Sequence, residues 1–361
     1  MLSKIKEKIL NKERITFDEG VSLYKHPNLL EIGELGRLAR EVKAGHEKAK
    51  WVYWNKNIHL NPTNVCIAHC NFCAFAKLPG EEGAWTYTIP ESLAKVQKGI
   101  NGGAREVHIV GGLNPKAALP YYTDLLKAIK KEFPKLHLKA FTAVEIEFFS
   151  KLTKLSFEET LKQLMDAGLD SMPGGGAEIF SKSVRDDTCP DKIPAAKWME
   201  IHGIAHKLGL KTNATMLAGI GENVEDRIDH MVQLREQQDK SGGFQTFIPL
   251  SCHYEDTEIA GTVQPITAFD ELKNIAVSRI MLDNFDHIKA YWIQLGVGVA
   301  QIGLQFGADD LDGTVQEESI THAAGAKKRG LEKNFIQSLI EDAGFIPVER
   351  DTIYNVLEVS K

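Results

Sequence analysis

The chain of 361 residues has few cysteines (5 in all), no apolar run long enough to span a bilayer and no surplus of basic charge. Each of these absences narrows what the protein can be. With 43 Lys and Arg against 49 Asp and Glu, the net charge is -6, so there is no general basic footprint for nucleic acid. Without a span of about 20 apolar residues, no transmembrane helix is expected. The N-terminal run Met1-Leu-Ser-Lys-Ile-Lys-Glu-Lys8 reads as a charged helix and not as a secretory signal. Together with the sparse cysteines this predicts a cytoplasmic protein in a reducing compartment, where disulfides are not expected. No repeat, linker or low-complexity stretch stands out. The remainder is ordinary for a globular chain, 43% hydrophobic and 25% charged, and long enough to bury a large core without staples.

Three of the cysteines fall together, in His59-Leu-Asn-Pro-Thr-Asn-Val-Cys66-Ile-Ala-His-Cys70-Asn-Phe-Cys73. Three thiolates from one short loop can hold three irons of a 4Fe-4S cubane and leave the fourth iron open to a ligand. A zinc site would need a fourth ligand, for which His69 and His59 are available in sequence. Structural zinc sites usually pair two separated cysteine couples, and no second couple exists here. The spacing therefore favours iron–sulfur over zinc. Cys189 and Cys252 read as buried, inert thiols.

Residues 1–50 read as a helical extension, with Leu29, Leu30, Ile32, Leu35, Leu38 and Ala39 near helical spacing. Strand candidates follow at Ile58–Pro62, Glu106–Val110, Leu136–Phe141, Ser171–Met172, Lys211–Leu217, Phe244–Leu250, Ile288–Ile293 and near Asp309–Leu311. Helices between them start at capping signals: Thr88 with Glu91, Ser156 with Glu159, and Asn223 with Asp226. Some eight strand–helix alternations predict an α/β fold, a (β/α)8 barrel of TIM type over residues 51–326. Residues 327–361, with one helix and a strand-like Phe345–Val348, are expected to close it. A doubly wound open sheet is the alternative, but its Gly-rich dinucleotide turn is missing and Gly174–Gly176 is only a partial mimic.

Barrel active sites lie where strands end, and the unusual polar and glycine clusters fall there. Gly111 and Gly112 would let backbone approach a ligand closely, or simply make a tight turn. Glu145, beside Thr142, could orient a ligand or sit at a solvated helix entry. Gly174–Gly176 with Glu178 is another such end. His202 and His206 are one helical turn apart but lack a third ligand, so a helix-surface pair is expected rather than zinc. Asp309, Asp310 and Asp312 lack the spacing of a calcium loop and read as polar rim groups.

The cysteine run resembles that of the radical S-adenosylmethionine (SAM) enzymes. Further runs, Lys139-Ala-Phe-Thr-Ala-Val-Glu145, Asp170-Ser-Met-Pro-Gly-Gly-Gly-Ala-Glu178, Thr212-Asn-Ala-Thr-Met216, Gly242-Gly-Phe-Gln-Thr-Phe-Ile-Pro249, His287-Ile-Lys-Ala-Tyr-Trp-Ile293 and Gly307-Ala-Asp-Asp-Leu-Asp-Gly-Thr314, are similar to those of the aminodeoxyfutalosine synthase family of menaquinone biosynthesis. That resemblance implies a 4Fe-4S cluster on Cys66, Cys70 and Cys73, with SAM as co-substrate. It implies SAM contacts from Phe72, Gly111, Gly112, Glu145, Gly175, Glu178, Met216 and Gly219. It implies 3-[(1-carboxyvinyl)oxy]benzoate as the second substrate and a flavodoxin- or ferredoxin-type reductant as partner. Asn61, Thr63, Arg185 and Gln294 are candidate substrate donors, and Phe141, Phe247, Tyr291 and Trp292 candidate walls. Asp312, Glu145 and His253 are candidate proton-handling groups. The chain departs from the family at Ser251-Cys252-His253-Tyr254, where a proline commonly follows the histidine. The cyclising enzyme of the same pathway and the deazaflavin-forming enzyme share the cysteine triad and are the nearest alternatives. A zinc-stabilised binding module is the remote one.

Overall fold

Strand-forming and helix-forming segments alternate from Trp51 onward. A computed structural model, which describes residues 1–325 and 330–360, rolls them into a parallel barrel. The strands are β1 (Trp51–Asn55), β2 (Asn57–Leu60), β3 (Glu106–Ile109), β4 (His137–Ala140), β5 (Ser171–Met172), β6 (Lys211–Ala218), β7 (Phe244–Ser251), β8 (His287–Ile288), β9 (Asp310–Gly313), β10 (Ile346–Arg350) and β11 (Val356–Val359). Strands β2 to β8 pair in chain order as one parallel sheet. β1 runs into β2 across Lys56, and β9 pairs with it through Tyr53 opposite Asp310. On its other side β9 meets the end of β8, where the Ala290 N–H donates to the Asp310 carbonyl at 2.8 Å. With β1 and β2 taken as one bent strand, the circle has the eight positions expected of a (β/α)8 barrel.

The helices start where the sequence places caps. Reciprocal capping boxes join Thr88 to Glu91, Ser156 to Glu159 and Asn223 to Asp226. The N-terminal helices Phe17–Lys25 and Leu29–Lys48 pack on the barrel helix Ala268–Met281, and Leu2–Leu10 packs on Leu29–Lys48. Gly36 is required there, because a Cβ would lie 3.0 Å from the Ala276 Cα of the barrel helix and 2.4 Å from the carbonyl oxygen of the neighbouring Phe306. Among the described residues no helix is long and apolar enough to cross a membrane.

Three strand expectations change. β1 was absent from the expected set, since Trp51-Val-Tyr-Trp54 directly follows a helix and carries no turn signal. The expected strand Ile288–Ile293 shrinks to two residues, because Trp292 already opens a helix. The expected C-terminal strand is longer, Ile346–Arg350, and has an antiparallel partner in β11. The expected boundary at 326–327 lies outside the described residues.

β10 lies parallel to β1 and carries Arg350 under the barrel. Its guanidinium is 1% exposed and reaches the Asp310 Oδ2 at 2.6 Å. Arg350 also stacks on Tyr354, whose ring lies 3.7 Å from that of His287. The C-terminal segment therefore plugs the N-terminal end of the barrel with a charge.

The barrel interior is polar. Side chains alternate across each strand, so on β2 Asn57 and His59 point inward while Ile58 and Leu60 meet the helices. Glu106 and His108 on β3, Lys139 on β4, Asn213 and Thr215 on β6, and Asp312 on β9 also face inward. Buried ions need partners. Lys139 lies 2.6 Å from Glu106, and Lys289 lies 3.0 Å from Asp312. Burial alone would push the Glu106 carboxyl up, but the Lys139 ammonium overrides it and holds the group well below the ordinary carboxylate range.

Candidate active site

Above this polar floor, at the C-terminal ends of the strands, a cavity of about 340 Å³ opens. The cysteine loop forms its rim. Pro62–Cys66 leaves β2, and the loop is pinned by hydrogen bonds from Cys66 N–H to Lys77 O (2.9 Å), Ile67 N–H to Leu113 O (3.2 Å) and Asn71 N–H to Thr188 O (3.0 Å). Cys66, Cys70 and Cys73 all line the cavity, and none is in a disulfide. Burial pushes the Cys66 thiol up and the Cys70 thiol to about 12, so a metal must displace those protons to bind. Among the described residues no three His, Cys, Asp or Glu side chains already stand as a joint metal-binding group. A 4Fe-4S cubane does not ask for such a point of convergence, because each thiolate binds its own iron.

The donor set nonetheless fits an iron–sulfur cluster better than zinc. His69 points to solvent, 59% exposed at the side chain, and faces Glu258 at 3.3 Å. His59 lies inside the barrel, its ring against that of His108 at 4.6 Å. Neither candidate fourth ligand for zinc stands with the thiols. Three cysteines on one loop beside an open cavity is the arrangement that leaves one iron free for a ligand.

Next to this loop lies the glycine pair. A Cβ on Gly112 would come 2.2 Å from the Val65 carbonyl oxygen, and one on Gly111 3.0 Å from that of Thr63. Only glycine lets the two loops touch. Glu145 closes the corner. Its Oε2 accepts from the Thr142 N–H at 2.7 Å and its Oε1 from the Gly111 N–H at 3.1 Å. Burial pushes this carboxyl up to about 7, against the pull of those donors. Glu145 is thus both the capping-box residue of the helix Ala143–Thr153 and a cavity acid.

Gly175 and Glu178 also line the cavity, Glu178 in an ion pair with Lys192. Lys192 lies over the Phe72 ring at 5.1 Å. Burial opposes its charge, but Cys70, Glu178 and Cys189 around it keep it protonated beyond the usual lysine range. On the far wall stand His253, Tyr291, Gln294 and Asp312. His253 Nε2 contacts the Gln294 carbonyl at 3.0 Å. In place of a proline after His253, Tyr254 folds over Gly219, its hydroxyl accepting from the Ile266 N–H at 3.2 Å.

Eight residues singled out from the sequence lie outside this lining, each for a local reason. Met216 and Phe247 sit on the outward parity of β6 and β7, where Phe247 meets Phe285. Phe141 packs between Tyr122 and Phe149. Trp292 starts a helix and donates to the Gly313 carbonyl at 2.9 Å. The Arg185 guanidinium is spent on the carbonyls of Ala177, Ile179 and Ile193. Asn61 donates to the Val110 carbonyl, and Thr63 to that of Trp85. The Gly219 N–H is taken by Glu222. His202 is no surface residue: it is fully buried and shares the Thr212 hydroxyl with His206, because the helix Ala195–Lys207 packs that face on β6. Cys189 and Cys252 are buried, and Cys252 also borders the cavity. In the interior row, His108, Lys139 and Lys289 are not among the site residues expected from the sequence, and His59 is expected there only as a possible zinc ligand. The row's signal was the polar–apolar alternation within strands.

Sequence comparison places these features. The family model described as the radical SAM superfamily matches residues 60–234, and that of the CofH/MqnC C-terminal region matches residues 241–361. The chain is 44% identical to an aminodeoxyfutalosine synthase of Thermus thermophilus, over 99% of this chain and 96% of that protein. It belongs to the aminodeoxyfutalosine synthase family of radical SAM enzymes. A cyclic dehypoxanthine futalosine synthase of Streptomyces coelicolor is 37% identical over 96% of this chain and 86% of that one. Among solved structures, methylornithine synthase superposes with a TM-score of 0.76 at 16% identity, covering 95% of this chain and 97% of that chain, a likeness of fold. In this chain the cysteine loop, glycine pair and Glu145 form one wall of the cavity, and the polar barrel interior forms its floor.

Proposed function

We propose that the enzyme joins the adenosyl part of SAM to 3-[(1-carboxyvinyl)oxy]benzoate, with aryl migration and loss of one carboxyl group, to give 6-amino-6-deoxyfutalosine. The observation that carries this reading is full-length identity of 44% to an aminodeoxyfutalosine synthase. Cys66, Cys70 and Cys73 would hold a 4Fe-4S cluster, which when bound would supply one-electron reduction of SAM to methionine and a 5′-deoxyadenosyl radical. The chain's own residues do the rest by placement. The Gly111 and Gly112 backbone and Glu145 hold the polar end of SAM, and Phe72 shields the cluster side. Leu217, Leu250 and Tyr291 on the cavity wall keep water from the radical. Holding C5′ against the vinyl carbon makes addition effectively unimolecular. Asp312, Glu145 and His253 are the groups able to move protons along the way. The reductant is of flavodoxin or ferredoxin type, and the enzyme works in the cytoplasm.

The test is anaerobic reconstitution with iron and sulfide, then SAM, dithionite and the enol ether. Adenosyl carbon incorporated into product supports addition. Stoichiometric free 5′-deoxyadenosine indicates hydrogen abstraction instead, as in the cyclising relatives, and refutes the reading.

A further inference from the structure

Three inward side chains stand level across neighbouring strands. His59 on β2 is in register with His108 on β3, and His108 with Lys139 on β4. Adjacent strands lie about 4.8 Å apart, so the row spans about 10 Å of the cavity floor. Its donors are unclaimed. Among the described residues neither imidazole side chain has a hydrogen-bond partner, and Nε2 of His108 is wholly buried. Lys139 gives one hydrogen bond, to Glu106 at 2.6 Å, and keeps two N–H groups. A buried donor without an acceptor is costly; in this row that is the state of the His108 Nε2, and with the His59 imidazole and the two remaining Lys139 N–H groups on the same cavity lining the row calls for an anion.

The nearby acids do not fill that need. Glu106 is taken by Lys139, Asp312 by Lys289, and Glu318 by the Thr321 N–H and His322. Depth selects the ligand group. His108 is three residues below Gly111, about 10 Å along a strand. The vinyl carbon must lie beside the SAM end, and the carboxylate on its neighbouring carbon stays there with it. Only the ring carboxylate, at the far end of the substrate, extends to the row.

We propose that His59, His108 and Lys139 form the receptor for the aryl carboxylate and set which end of the substrate faces SAM. This rests on the function proposed above. The apposed imidazoles suit the task because burial keeps both below their ordinary basicity. They donate without placing two further positive charges beside Lys139.

The experiment measures equilibrium binding to the reconstituted enzyme with SAM and no reductant. Ligands are 3-[(1-carboxyvinyl)oxy]benzoate and its analogue without the ring carboxylate, 2-phenoxyacrylate. The native enzyme should prefer the carboxylated ligand by roughly ten- to hundredfold. His108→Phe should erase that preference while leaving 2-phenoxyacrylate binding within about twofold. His108→Gln, which keeps a donor, should restore part of it. If His108→Phe does not fold, His59→Phe gives the same readout. A preference that survives the variants, or none in the native enzyme, overturns the receptor. If the native enzyme incorporates adenosyl carbon yet the variants keep the preference, the receptor alone falls. If the native enzyme binds neither ligand and forms no adduct, both readings fall.

Discussion

Gly112→Ala puts the contact between the cysteine loop and the glycine pair to a direct test. The added Cβ would stand 2.2 Å from the Val65 carbonyl oxygen, 2.6 Å from the Val65 carbonyl carbon and 3.0 Å from the Cys66 Cβ. Relief to a tolerable 3.0 Å needs a shift of about 0.8 Å between two backbones, with no flexible side chain to absorb it. The Gly112 N–H is also bonded to the Thr63 carbonyl at 2.9 Å, and the Cys66 N–H to that of Lys77, so the loop cannot move without breaking hydrogen bonds. Overpacking of this kind costs about 1–3 kcal/mol. A displacement near 1 Å at a reacting centre can cost about 100-fold in rate. Gly111→Ala, whose Cβ would be 3.0 Å from its nearest atom, is the matched milder change. The assay is anaerobic reconstitution followed by iron analysis, electron paramagnetic resonance with and without SAM, and turnover. Gly112→Ala should lose the SAM-induced spectral shift and most turnover, and Gly111→Ala should lose less of both. A Gly112→Ala enzyme with native iron content, spectrum and rate would refute the idea that this contact sets the loop.

Three further outcomes follow from the geometry. Cys70→Ala should abolish the visible iron–sulfur absorption, whereas His69→Ala, its ring in solvent, should leave iron content unchanged; zinc retained by the cysteine loop and lost on His69→Ala would reverse the ligand assignment. Glu145 carries its proton to about pH 7 in the folded protein and to about 4.3 when unfolded; between these values the native state binds more protons, so stability falls as pH rises, and Glu145→Gln, compared with the native protein by denaturant melts from pH 4.5 to 7.5, should remove a decline of roughly 3 kcal/mol. Arg350→Met leaves Asp310 buried with only the more distant Lys289, 3.9 Å away, as counter-ion and should destabilise by as much as about 3–5 kcal/mol; adding Asp310→Asn should recover much of that, and additive losses in chemical denaturation would show the pair is uncoupled.

The features legible in the sequence were those whose chemistry is local. Three cysteines within eight residues announce themselves, and so do caps such as Thr88 with Glu91, where both partners lie within one turn. What could not be read depends on parity and on distant partners. Phe247 and Met216 were placed at the right strand ends but one residue off the inward face, and a period of two turns that into opposite sides of the sheet. Arg185 reads as a substrate donor because its partners, the carbonyls of Ala177, Ile179 and Ile193, are backbone groups that leave no mark in the residue types. His59 and Lys139 were visible within family-like runs, yet their level alignment with His108 needs the register of three strands. β1 was missed because its pairing partners, β9 and β10, come more than 250 residues later.

The position of β10 bears on how the barrel is born. Asp310 receives its buried counter-ion from Arg350, which follows every barrel strand in the chain. On the ribosome the cylinder can curl, but the acid at its base has only the more distant Lys289, 3.9 Å away, as counter-ion until the strand carrying Arg350 has emerged and slid in beside Trp51–Asn55. Closure is thereby deferred until Arg350 has been made. Until then the nascent domain stays open from below, and the last strand acts as a latch that reports the chain has been made through Arg350.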